Sequence, residues 1–178
     1  MKPDESHREI ILAGTGGQGL ILSGILLAEA AILEGRNVVQ TQSYGIASRG
    51  GLSLAEVIVD EKEIIFQQVR VPDCVLALTE EAAKKYEAWP GRGVPMLYDS
   101  TLATARTGPH FIGRDFTRRA SDLGNVGSVN ILALAALAEY TRVVRLESIE
   151  SVIRKRFRGP ALELNLKLLS VGSELAAA

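Results

Sequence analysis

A single cysteine, Cys74, among 178 residues leaves no partner for an internal disulfide and no ligand set for a zinc or iron–sulfur centre. Histidine is scarce as well. His7 belongs to a polar opening segment, residues 1–7, read as a loose lead-in, and His110 follows Pro109; neither has a second ligand at metal spacing. An excess of one charge is also missing. The 20 Lys and Arg against 21 Asp and Glu leave a net charge of −1, which offers no basic surface to nucleic acid or to an anionic membrane. The most apolar stretch, from Gly19 to Leu33, is 15 residues long and carries Glu29, short of the roughly 20 residues a membrane helix needs. It follows a glycine turn rather than a basic leader, so it does not read as a signal peptide. Ser43, Ser48 and Ser121 have no base partner in view, and a hydrolase triad has no support. The expectation is a cytoplasmic protein with no metal site, no catalytic residue and no redox centre of its own.

What is present is 47% hydrophobic residues, enough for one packed domain over residues 1–178 with its core at about 9–169. Residues 8–13 form a short apolar run that stops at glycines, the pattern of a buried strand. Leu20–Leu33 is a helix apolar on nearly every side, as expected of one sandwiched between layers or set in a subunit interface, with Gly35 as its stop. With a strand at 37–42 this makes an opening βαβ unit, hence parallel strands. Residues 52–59 and 63–66 read as an antiparallel hairpin through Asp60-Glu61-Lys62. Strands follow at 74–78, Met96–Asp99 and 110–116. Helices are expected at 80–88, at 129–140 behind Ser128 as N-cap, at 147–157 and at 161–175, with Gly159-Pro160 between the last two. The fold class is α/β: a Rossmann-like, mostly parallel mixed sheet with helices on both faces and one antiparallel hairpin.

Three segments could carry chemistry. Gly14-Thr15-Gly16-Gly17-Gln18-Gly19 fits G-x-G-x-x-G between strand and helix, where glycines admit a pyrophosphate and a helix N-terminus offers it N–H groups. The acid that a dinucleotide site needs about 20 residues on is absent, because the second strand ends Gln40-Thr41-Gln42. Three readings stay open: another anion, plain packing of helix on strand, or NAD(P). Gln42-Ser43-Tyr44-Gly45 and Ser48-Arg49-Gly50-Gly51 form the second segment. Arg49 can present a donor fork to phosphate or carboxylate, or it can pair with a nearby acid in a turn. In the third, Gly124-Asn125 and Asn130 precede and open an apolar helix; Asn130 either satisfies backbone groups or touches a ligand. Cys74 opens an apolar strand and reads as a core residue. The basic run Arg154, Lys155, Arg156 and Arg158 reads as a solvated helix end.

In this order the three segments resemble the gamma subunit of the 2-oxoacid:ferredoxin oxidoreductases, the pyruvate, 2-oxoglutarate and 2-ketoisovalerate group. Thr41-Gln42-Ser43-Tyr44-Gly45 most resembles the 2-oxoglutarate branch, while Ile46-Ala47-Ser48 departs from that branch's Pro-Glu-Ala. The resemblance implies a subunit of an enzyme that decarboxylates a 2-oxoacid on thiamine diphosphate, passes electrons through iron–sulfur clusters to ferredoxin and releases an acyl-CoA. It places thiamine diphosphate and the clusters on alpha, beta and delta subunits. This chain is left with assembly and with coenzyme A, whose candidate binding residues are Gly14, Gly16, Gly17, Gln18, Gly19, Tyr44, Arg49, Asn125 and Asn130. Alone, the chain is expected to be inactive and to form a homodimer. The alternative is a stand-alone nucleotide-binding module or NAD(P)-type oxidoreductase.

Overall fold

Strand β1 (Arg8–Thr15) turns Ile10 and Leu12 to one face and Ile11 and Ala13 to the other, all of them buried. A strand buried on both faces belongs inside a sheet. The computed structural model, which describes residues 6–44 and 51–177, places it there. Six strands run in the order β2-β3-β1-β4-β5-β6, with β2 Asn37–Tyr44, β3 Leu52–Asp60, β4 Cys74–Ala77, β5 Met96–Asp99 and β6 Phe111–Arg114. The pairs from β1 through β4 and β5 to β6 are parallel. Those of β3 with β1 and with β2 are antiparallel.

Two expectations about the sheet need correction. β1 and β2 are parallel but not neighbours, because β3 lies between them. The cause is composition: β3 ends in a buried, largely apolar Val57–Asp60 run suited to the interior, whereas β2 (NVVQTQSY) is polar enough for an edge. The second strand of the expected hairpin, residues 63–66, does not form; β3 pairs back with β2 instead. Beyond Asp60 the chain reaches the start of β1, where the N–H groups of Arg70 and Val71 donate to the buried Glu9 carboxylate at 2.7 and 2.8 Å. Charge-assisted bonds of this kind satisfy that backbone without a ladder.

Helix α1 (Leu20–Leu33) starts and stops as expected, with Gly35 left-handed at φ 78 just beyond it. Helix α2 (Glu80–Tyr86) packs on one face of the sheet. The other face carries α1, α3 (Phe116–Asp122) and α4 (Val129–Thr141), and over these lie α5 (Leu146–Arg156) and α6 (Gly159–Ala177). Both strongly apolar helices are thus covered twice, α1 by sheet and α5, α4 by its neighbours and α6. Helix α3 has no counterpart in the sequence reading, which ran a strand on to residue 116. Only Phe116 and Ala120 of α3 are buried, too short an apolar pattern to announce a helix. Gly159 and Pro160 open α6, proline being well suited to a first helical turn. Ser128 stands at the N-cap of α4, yet its hydroxyl makes no capping bond.

His7 is no loose lead-in residue. Its Nδ1 lies 2.6 Å from Asp60 Oδ2 and its Nε2 3.1 Å from Glu9 Oε1. Burial disfavours the imidazolium, but hydrogen bonds to Glu9 and Asp60 and their charges outweigh it, so the pKa is raised above 6.5. A raised folded-state pKa gives stability that is complete below 6.5 and lost as pH climbs through the folded value. Chemical denaturation of the native chain should therefore show falling stability as pH rises from 6.5 into the weakly alkaline range. His7→Gln should flatten that slope; an unchanged slope would exclude this role.

Candidate functional site: the glycine turn at the carboxyl end of the sheet

β1 and β4 are parallel neighbours, and the helices that follow them leave to opposite faces, α1 to one and α2 to the other. Open α/β sheets bind ligands in the crevice outside such a divergence. The glycine turn stands at its mouth, and its glycines divide by physical role. At Gly14 a Cβ would overlap the Gln18 carboxamide and lie 3.3 Å from Leu78 Cβ. Gln18 itself is strapped across the crevice: Oε1 accepts from the Thr15 N–H at 2.9 Å and Nε2 donates to the Leu78 carbonyl at 3.2 Å. Gly19 is left-handed at φ 74, and a Cβ there would come 2.7 Å from Asn130 Nδ2. That nitrogen donates to the Gly19 carbonyl at 3.1 Å, and the Asn130 carbonyl accepts from Ser23 Oγ at 3.2 Å. Asn130 thereby locks the starts of α1 and α4 together, as the backbone-satisfying reading has it.

Gly16 and Gly17 differ from these two. Nothing lies within 4 Å of a Cβ built on either, and they form the open rim of the turn. Gly17 needs glycine for its φ of 92, whereas Gly16 has neither a positive φ nor a close neighbour. No side chain caps α1, and its first turn holds no acid, which leaves its N-terminal field uncompensated by the chain's own carboxylates.

Tyr44 ends β2 on the same rung as Gly14, both paired with Ser53 of β3. With strands about 4.8 Å apart, its backbone lies roughly 10 Å from the turn. Arg49 falls in 45–50, outside the described residues; the flanking Tyr44 and Gly51 both lie at the turn's end of the sheet. Asn125 is not joined to the turn by any hydrogen bond among the described residues. Its N–H donates to Ala120 and its carbonyl accepts from Ser128, within its own loop. The inserted β3 also bears on the dinucleotide reading. The strand beside β1 presents Leu52 and Ser53 at the turn, where a ribose-binding acid would have to stand.

Several residues at this end were not singled out from sequence. Thr79 caps α2 by accepting from the Ala82 N–H at 3.2 Å. Glu80 on the first turn of α2 is held below the usual carboxylate range, first by the Thr104 N–H and then by Arg106. Asp99, fully buried at the end of β5, accepts from the N–H groups of Thr101 and Thr117 and from the Thr117 hydroxyl, fastening α3 to the sheet. An acid closing the apolar run Met96–Asp99 was the available signal.

The model of the pyruvate ferredoxin/flavodoxin oxidoreductase family matches residues 9–175, nearly the whole chain. This chain belongs to that family. Among relatives of the family, 2-oxoglutarate synthase subunit KorC of Archaeoglobus fulgidus is 42% identical over 169 residues, spanning 93% of this chain and 86% of the relative. Among solved structures, the gamma subunit of a keto/oxoacid ferredoxin oxidoreductase from Geobacter sulfurreducens superimposes with a TM-score of 0.82 at 39% identity, covering 96% of this chain and 99% of that one. A 2-oxoglutarate:ferredoxin oxidoreductase chain from Magnetococcus marinus shares the fold, with a TM-score of 0.86 at 22% identity; 97% of this chain matches 31% of the larger one. This member of the family keeps Cys74 wholly inside, where burial pushes the thiol up to about 12, so it acts as a core residue. Among the described residues no three His, Cys, Asp or Glu side chains are grouped to hold a metal, and no helix is long and apolar enough to cross a membrane.

Proposed function

We propose that the chain is the gamma-type subunit of a cytoplasmic 2-oxoglutarate:ferredoxin oxidoreductase, where it serves assembly and seats the phosphates of coenzyme A. The identity to 2-oxoglutarate synthase subunits, 42% and 38% over most of both chains, favours 2-oxoglutarate as the 2-oxoacid. The observation that carries the site is the open Gly16–Gly17 rim beside an uncapped helix N-terminus at the β1/β4 crevice. Backbone N–H groups of that kind suit a phosphate and need no cationic side chain. Arg49, which falls in sequence between Tyr44 of β2 and Leu52 of β3, is the side chain assigned to a second phosphate oxygen. Thiamine diphosphate and the iron–sulfur clusters belong, on this reading, to alpha, beta and delta-type companions, which also face ferredoxin. The chain's one thiol, buried and protonated, does not fit a cluster.

Kinetics of the assembled enzyme test the seat. Arg49→Ala should raise the KM for coenzyme A several-fold and leave that for the 2-oxoacid in place. Gly16→Val, at a position where an added Cβ has no described neighbour within 4 Å, should do the same with little change in melting temperature. Normal constants in both variants would refute the seat. If the loop instead docks on the thiamine-binding subunits, Arg49→Ala lowers the yield of complex. The stand-alone nucleotide reading predicts a thermal shift of the isolated chain with NAD or NADP, since a ligand that binds only the native state raises its melting point.

A further inference from the structure

Helix α1 has four sides, and three are accounted for by contacts on this chain. Gly24 faces the sheet, 3.1 Å from Ala55 and 3.4 Å from Gln40 when given a Cβ. Ser23 faces α4 through its bond to the Asn130 carbonyl. Glu29 faces α5 through its pair with Arg156 at 3.2 Å. At 100° per residue the remaining side carries Ile21, Ile25, Ala28 and Ile32, at spacings of four, three and four. This is the seam spacing by which helices pack against one another. Ile21 and Ile25 are only half-buried, Ile32 is 60% exposed, and none of the three isoleucines belongs to the core. The seam points away from α4, and so outward past the edge strand β2.

That edge is open as well. Among the described residues no strand pairs with the outer side of β2, and its eight residues, NVVQTQSY, include no charge and no proline. Natural edge strands are usually guarded by such residues, because an unguarded one is a template for pairing. A twofold axis beside β2 would bring every residue near it against its own copy or a close neighbour's, so a charge there would meet a like charge. β2 contains none to repel.

We infer that a second copy of this chain is the occupant: two β2 strands pair antiparallel across a twofold axis, making one continuous twelve-stranded sheet, while the two α1 seams pack above them. The strand supplies backbone hydrogen bonds and the isoleucines supply buried apolar area, so neither element alone completes the contact.

Light scattering on the purified full chain at micromolar concentration tests this. The expected result is a mass twice that of the chain. Ile32→Glu and Gln42→Lys, at exposed positions on α1 and β2, should each give the single-chain mass with an unchanged circular dichroism spectrum. A single-chain mass for the native protein overturns the inference, including the case where only companion subunits cover the seam. So does a dimer that survives either substitution. Hydrogen exchange on the native chain serves independently of the variants. All β2 amides exchange slowly if the outer edge is paired, whereas fast exchange at every second one overturns the pairing.

Discussion

Gly172→Ala should lower the unfolding free energy by about 3 kcal/mol, against the sign that helix propensity gives. A glycine inside a helix costs roughly 0.5–1 kcal/mol relative to alanine, so at a roomy site the substitution stabilises. Here α6 crosses α4 so closely that an added Cβ would overlap the Leu132 carbonyl and lie 2.8 Å from Ala135 Cβ. The carbonyl is backbone and cannot swing aside, so the two helices must separate, and α4 is the helix around which that half of the core packs. For a chain of this size 3 kcal/mol corresponds to a fall in melting temperature of roughly 6–12 °C. Calorimetry reads it directly. A rise in melting temperature would mean that the two helices sit farther apart than described.

The second large effect is expected at Gly19→Ala. Its left-handed φ of 74 costs an alanine about 1 kcal/mol. The new methyl would also press on the Asn130 carboxamide and displace its bond to the Gly19 carbonyl. A buried amide left unpaired costs about 1–3 kcal/mol more. Gly16→Ala, three residues away in the same motif, should change stability little, because nothing stands near its Cβ and its φ is ordinary. Denaturant melts of Gly19→Ala, Asn130→Ala and the double variant give a direct check. The double variant should be more stable than the sum of the single losses predicts, since shortening Asn130 makes room for the methyl. Strict additivity would mean that the two residues do not touch.

Much of the fold was legible because it is local. The apolar span of α1 with glycines at either end, the buried run of β5 and the start of α4 each announce themselves within a few residues. What stayed hidden depends on partners far along the chain. Nothing in 52–60 says that it pairs with β1 rather than with 63–66, because its two edges are taken by β2 and by the more distant β1. The site shows the same division. The glycine motif and its place between strand and helix were readable, and a backbone role for Asn130 was one of its two open readings. The separation of the four glycines into two that admit chain neighbours and two that face outward was not. It depends on where Gln18 and Asn130 lay their carboxamides, and one of those residues is more than 100 positions away.

The burial of α4 has a consequence for how the protein is made. Every residue from Val129 to Ala138 is inside, and much of that cover is α6. During synthesis α4 leaves the ribosome first, and the side of it that α6 covers stays bare until the nineteen residues of α6 have followed. For that interval the nascent chain carries a surface that binds chaperones or other unfinished chains. Translation that stalls before residue 159 yields a product in which five of the six α-helices among the described residues are present and the α6-facing side of α4 is bare.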